Sequence, residues 1–189
     1  SSSGPSNYFN NYEVKSVYFD NGKILVFWLA VNSSSPSTVN GLFAREYVPA
    51  HGNIAGAWGA PRVVATAPNS ESVWRNFYLL NVVKLGPNSA GIAFTQQNIS
   101  FTTGSVNFAT FVTSVSAPND VASTTTWRSV REIETGYSFN NIISTSGYDG
   151  VMTIAMDSFD LGVPQHHLMV KTYTSTTQVI ESFAPPTVS

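Results

Sequence analysis

The feature that most constrains this chain is a run of four strand-like segments that recurs three times with one internal order. Each group has a strand, a turn, a second strand, a long polar loop, a third strand, a turn and a fourth strand. The second strands are Lys23-Ile24-Leu25-Val26-Phe27-Trp28, Gly91-Ile92-Ala93-Phe94-Thr95 and Gly150-Val151-Met152-Thr153-Ile154-Ala155. They lie about 60 to 67 residues apart, the spacing of a repeated supersecondary unit.

Twelve segments rich in β-branched and aromatic residues read as strands: 14–19, 23–31, 41–48, 62–67, 77–84, 91–96, 106–115, 127–134, 139–144, 151–158, 167–174 and 177–183. Asp20-Asn21-Gly22 is a tight hairpin turn, because Asn and Gly tolerate the left-handed backbone that such turns need. Gly86-Pro87-Asn88 and Gly147-Tyr148-Asp149-Gly150 are looser versions of it. Apolar residues seldom recur at three-four spacing, so helix is nearly absent. The one candidate helix runs over 70–80, capped by Asn69 or Ser70, with Val73, Trp74, Phe77 and Leu80 on one face.

These signals predict an all-β fold, an antiparallel sandwich or barrel of the jelly-roll kind, with three four-stranded propeller-type blades as the alternative. Residues 1–12 read as a linker or arm, 13–184 as a single domain and 185–189 as a tail. The Ser- and Pro-rich ends suggest a domain excised or processed from something longer. Tryptophan precedes two of the fourth strands, in Trp58-Gly59-Ala60-Pro61-Arg62-Val63-Val64 and Thr126-Trp127-Arg128-Ser129-Val130. With that element the first group, one third of the chain, resembles a blade of a sialidase-type β-propeller, where Thr-Trp or Trp-x-x-Pro opens the outer strand. Closed propellers have about four to eight blades, so three make an incomplete ring unless two chains close it. That arithmetic favours the sandwich or barrel.

Composition narrows the function. The 189 residues include no cysteine, which excludes thiol catalysis and thiolate metal sites. Charged residues are 11% of the chain and aromatics 13%, and solubility falls to 25 Ser, 18 Thr and 16 Asn. A net charge of -2 with scattered Lys and Arg offers no footprint for a phosphate backbone, so no nucleic-acid partner is expected. The longest apolar run, 24–31, is one strand long, and no membrane span is expected.

Catalytic patterns are thin. No G-x-S-x-G elbow occurs, and Gly104-Ser105-Val106 reads as a turn. Glu132 and Glu134, two apart on a regular strand, would share a face roughly 6.5 Å apart, a distance that suits glycoside hydrolysis. A solvent-facing strand edge is the plainer reading. Asp149, Asp157 and Asp160 offer carboxylates to a hard cation but match no Ca²⁺ loop. His166 and His167 point to opposite faces of a strand, and His51 stands alone in a Gly/Ala-rich loop. No catalytic residue, metal or cofactor is therefore named. Asn32-Ser33-Ser34 and Asn98-Ile99-Ser100 match the N-glycosylation pattern, as chance allows in so Asn-rich a chain.

Aromatic and arginine neighbours carry more information, since Trp stacks on sugar rings and Arg binds carboxylates with a fork of donors. The candidate ligand-binding residues are Trp58, Arg62, Trp74, Arg75, Trp127 and Arg128, beside the polar connections 32–40, 49–59 and 117–126. The competing reading of each pair is a core Trp beside a surface Arg. The expected function is a non-catalytic, surface-exposed β domain, extracellular or on a virion. A capsid protrusion or spike that binds a host receptor or glycan and self-associates as a homodimer or higher assembly fits this composition. A sialidase-like or lectin-like propeller module and a subunit of an extracellular filament are the alternatives.

Overall fold

The computed structural model describes residues 10–31, 41–66, 75–98, 105–114, 125–137, 139–160, 165–174 and 182–183. Sheet I joins β1 (Asn10–Tyr18), β2 (Ile24–Val31) and β3 (Gly41–Val48) in that order, and β4 (Ala57–Trp58) and β5 (Arg62–Thr66) share the outer edge of β3. Sheet II joins β6 (Arg75–Gly86), β7 (Ser89–Asn98) and β8 (Ser105–Ser114), with β9 (Thr125–Trp127) and β10 (Arg131–Tyr137) on the outer edge of β8. Sheet III runs β11 (Phe139–Tyr148), β12 (Val151–Asp160), β13 (Gln165–Thr174) and β14 (Ser182–Phe183). Every pairing is antiparallel. The chain is all-β, as its strand pattern predicts: a stack of antiparallel sheets, none closed into a barrel, each holding one of the three sequence groups.

The candidate helix over 70–80 is overturned where it is described. Residues from Arg75 onward belong to β6, paired with β7 from Arg75↔Asn98, and 70–74 lie outside the described residues. Leu80 is buried between sheets, so a two-residue period on a doubly covered strand had imitated a helical face.

The hairpin turns follow from left-handed residues. Gly22 has φ +83°, and its amide donates to the Phe19 carbonyl at 2.9 Å. Asp149 and Gly150 have φ of 46° and 77°, the pair of positive values that a two-residue hairpin requires. The three turns cluster at one end, where the Asp20 amide donates to the Pro87 carbonyl and the Gly150 amide to the Leu85 carbonyl.

Each sheet's first strand is bulged at a corresponding place: between Tyr12 and Val14, between Tyr78 and Asn81, and between Ile142 and Ser144. A bulge frees a backbone group from the ladder, and that group needs another partner. The Leu80 amide, inside the β6 bulge, donates to the carboxylate of Glu13, which sits at φ 47° in the β1 bulge. Two irregularities thus satisfy one another across the gap between sheets I and II.

Sheet II is the middle layer. β1 and β2 pack against β6, while β11 packs against β6, β7 and β8. Residues 90–96 are all buried because alternate side chains enter two different cores. One core joins Val17, Leu25, Phe27, Leu29 and Leu42 of sheet I to Leu80, Ile92, Phe94 and Val112 of sheet II. The other joins Leu85, Ala93, Phe111 and Ile133 to Ile142, Met152, Ile154, Met156 and Tyr173 of sheet III. There the rings of Phe111 and Tyr173 stack at 4.9 Å. Two glycines let the second interface close: a Cβ on Gly91 would stand 2.7 Å from Met152 Sδ, and one on Gly147 would stand 2.6 Å from the Lys84 carbonyl oxygen.

Gly147→Ala must therefore push β11 from β6. The expected loss is about 1 to 3 kcal/mol in denaturant unfolding, whereas Gly52→Ala, with open space around it, leaves only a backbone penalty at φ +54°. Burial pushes the Tyr173 hydroxyl above its ordinary value of 10.0, with the Arg131 charge opposing. The neutral phenol's contribution is complete below the unfolded value and is lost as pH rises through the folded one. Stability should fall as pH climbs beyond 10, and less in Tyr173→Phe.

Candidate binding surface

The connection after β3 folds back over its own strand. His51 and Ile54 exchange backbone hydrogen bonds of 3.0 Å, and a Cβ on Gly56 would collide with the Tyr47 hydroxyl, so the loop lies directly on that ring. Gly59 is held from two sides, its amide donating to the Glu46 carbonyl at 2.8 Å and its carbonyl accepting from Arg45 Nε at 2.8 Å. That clamp fixes Trp58, which tilts against Tyr47 with centroids 5.3 Å apart and lies 5.8 Å from the Arg45 guanidinium carbon. Trp58 remains 44% exposed. The result is a half-exposed indole ledge with the Arg45 guanidinium over the ring and Tyr47 tilted at 55° beside it.

The expected Trp–Arg neighbours are re-paired. Trp58 meets Arg45, and Arg62 lies over Trp127 at 4.9 Å. Trp127 also packs edge-on against buried Phe27 at 6.0 Å, which makes it part of the sheet I–sheet II core, with Arg62 as its lid. Arg128 is exposed, its amide donating to the Phe111 carbonyl and its carbonyl accepting from Thr110. Arg75 opens β6, while its side chain and all of Trp74 fall outside the described residues. Arg45 and Tyr47 were missed, although they alternate on one face of a clear strand opposite Trp58; that alternation was the available signal.

A buried polar network lies beneath this surface. The Lys23 side chain, 2% exposed, pairs with Glu46 at 3.2 Å and reaches Thr125 Oγ1 at 3.5 Å, while Thr125 donates to Glu46. Asn21 Nδ2 donates to Ser114 Oγ at 2.8 Å, and its own Oδ1 accepts from the Lys23 amide. Lys23 and Glu46 belong to sheet I and its turn, and Thr125 and Ser114 to sheet II, so the network ties the two sheets together at their turn end.

The hydrolytic and metal candidates do not assemble. Glu132 pairs with Phe108 and Glu134 with Asn107, with a register shift between them, and the Glu134 side chain lies outside the described residues. The regular strand rise assumed for the pair does not apply across that shift. Asp149 sits in a turn and Asp157 well along β12, roughly 20 Å away by strand rise. Asp157 instead meets His166 Nδ1 at 3.0 Å, and no group of three ligating side chains occurs among the described residues. The arginines also diverge: Arg45 flanks Trp58, Arg62 covers Trp127 and Arg131 acts on Tyr173.

No protein-family model matches the sequence, and a search of curated proteins finds no significant match. No helix among the described residues is long and apolar enough to cross a membrane.

Lys23→Ala strands Glu46 beside a desolvated hole and should cost about 3 kcal/mol or more in chemical denaturation. Lys23→Met combined with Glu46→Gln should recover most of it. Adding EDTA should leave the melting temperature unchanged; a large drop would bring back Asp149, Asp157 and Asp160 as a cation site.

Proposed function

We propose that this protein is a non-catalytic, surface-displayed recognition module that binds a glycan carrying a carboxylate, outside a cell or on a virion. The observation that carries this reading is the Trp58 ledge: a half-exposed indole on a clamped loop, with Tyr47 beside it and the Arg45 guanidinium over the ring. A sugar ring stacks on such a face, and the terminal guanidinium nitrogens of Arg45 have the geometry to grip a carboxylate. A rigid sheet that presents a variable polar loop is the usual arrangement for recognition. An exterior of Ser, Thr and Asn with few charges suits extracellular or virion display.

Binding to an array of acidic and neutral glycans tests the proposal. Trp58→Ala should weaken retention of acidic glycans by about 2 kcal/mol, roughly thirtyfold, with no change in melting temperature. Trp127→Ala should lower the melting temperature, and its folded fraction should keep full affinity. Equal affinity in Trp58→Ala, or no glycan retained by the parent protein, would overturn the reading.

A further inference from the structure

The two internal interfaces share one design. Each sheet has a leading face, turned toward the next sheet, and a trailing face, turned toward the one before. On the second strands the trailing residues are Ala90, Ile92 and Phe94 in sheet II and Met152, Ile154 and Met156 in sheet III, none more than 1% exposed. The corresponding trailing residues of sheet I are Ile24, Val26 and Trp28, equally apolar, yet no described sheet lies over them.

The register extends this face across the whole of sheet I. Tyr18, Ile24, Tyr47 and Trp58 form one row, and Val14, Trp28, Phe43 and Val63 another, with Trp28 stacked on Phe43 at 5.8 Å. The corners are open: Val14 and Tyr18 are each 62% exposed and Val63 is 50% exposed. An antiparallel sheet with one wet face normally alternates apolar with polar residues, and this face does not. Its charged position is Arg45.

The opposite end of the stack has the matching half. On β7 the leading face of sheet II presents Gly91, Ala93 and Thr95, small residues that admit Met152, Ile154 and Met156, with Leu85 and Phe111 to either side. The leading face of sheet III has Thr153 and Ala155 at the corresponding places on β12, with an open Leu168 on β13, an open Tyr148 on β11 and Asp157 paired with His166. Each internal interface joins one trailing face to one leading face, and among the described residues the stack ends in an uncovered trailing face at sheet I and an uncovered leading face at sheet III.

We infer that the trailing face of sheet I docks on the leading face of sheet III in a second copy of this chain. Two copies make this contact twice about one twofold axis, so both end faces are covered and a ring of six sheets closes, within the four-to-eight range of closed blade rings. The contact goes beyond glycan recognition and is centred on the row of Val14, Trp28, Phe43 and Val63, two rows from the one that ends in Trp58.

The absence of native cysteine makes the geometry testable. Sedimentation of the 189-residue protein should show a dimer, and Val14→Lys with Tyr18→Lys should raise its dissociation constant at least about tenfold while near-ultraviolet circular dichroism stays native. A Val63→Cys, Leu168→Cys double variant treated with a short bismaleimide should give covalent dimer, and Val63→Cys alone should not. A monomer at high concentration would overturn the inference. So would cross-linking of the single variant as efficient as that of the double, which would mean that two trailing faces meet symmetrically.

Discussion

Burial of both faces of sheet II is the constraint on which the rest of the structure depends. A strand covered on both sides cannot alternate apolar with polar residues, and residues 90–96 accordingly pass through Ala, Gly, Ile, Ala, Phe, Thr and Gln without reaching solvent. Side-chain size is partitioned by face: Ile92 and Phe94 fill the space toward sheet I, while Gly91 and Ala93 let Met152 of sheet III come close. Each fully buried Ile or Phe contributes roughly 1.5 to 3 kcal/mol. The middle sheet collects that on both of its faces.

Bringing sheets so close creates polar obligations, and the sequence meets them at few positions. The bulge in β6 releases the Leu80 amide, and Glu13 answers it from the bulge in β1. At the turn end, Lys23, Glu46, Thr125, Asn21 and Ser114 place charge and amide groups between sheets I and II with partners on both sides. Glu46 connects this frame to the surface, since its backbone carbonyl holds Gly59 and thereby the loop that displays Trp58. The Trp58 ledge hangs from the same strand that carries the buried ion pair.

Much of the fold was legible in the sequence and less of the surface. Hairpin chemistry at Asp20-Asn21-Gly22 and the threefold recurrence of the second strands correspond to real turns and real sheets. The helix over 70–80 failed because Leu80 lies on a strand that packs on both sides, with Leu80 in one core and Leu85 in the other, where periodicity carries no information. The pairing of Trp58 with Arg62 and of Trp127 with Arg128 rested on nearness in sequence. In a sheet the decisive neighbours lie across strands, and β3 brings Arg45 and Tyr47 to Trp58 while β5 brings Arg62 to Trp127. The regular spacing assumed for the two glutamates of β10 is broken by a bulge that no residue type announces.

If the middle sheet holds the stack together, its amides should open only when the whole chain unfolds. Native-state hydrogen exchange followed residue by residue tests this directly. The amides of Ala90, Ile92, Ala93 and Phe94 should exchange with the free energy of global unfolding, and the outer strands β5 and β13 with less. Exchange in β7 as fast as in β13, or a separate unfolding unit formed by sheet II alone, would contradict the account.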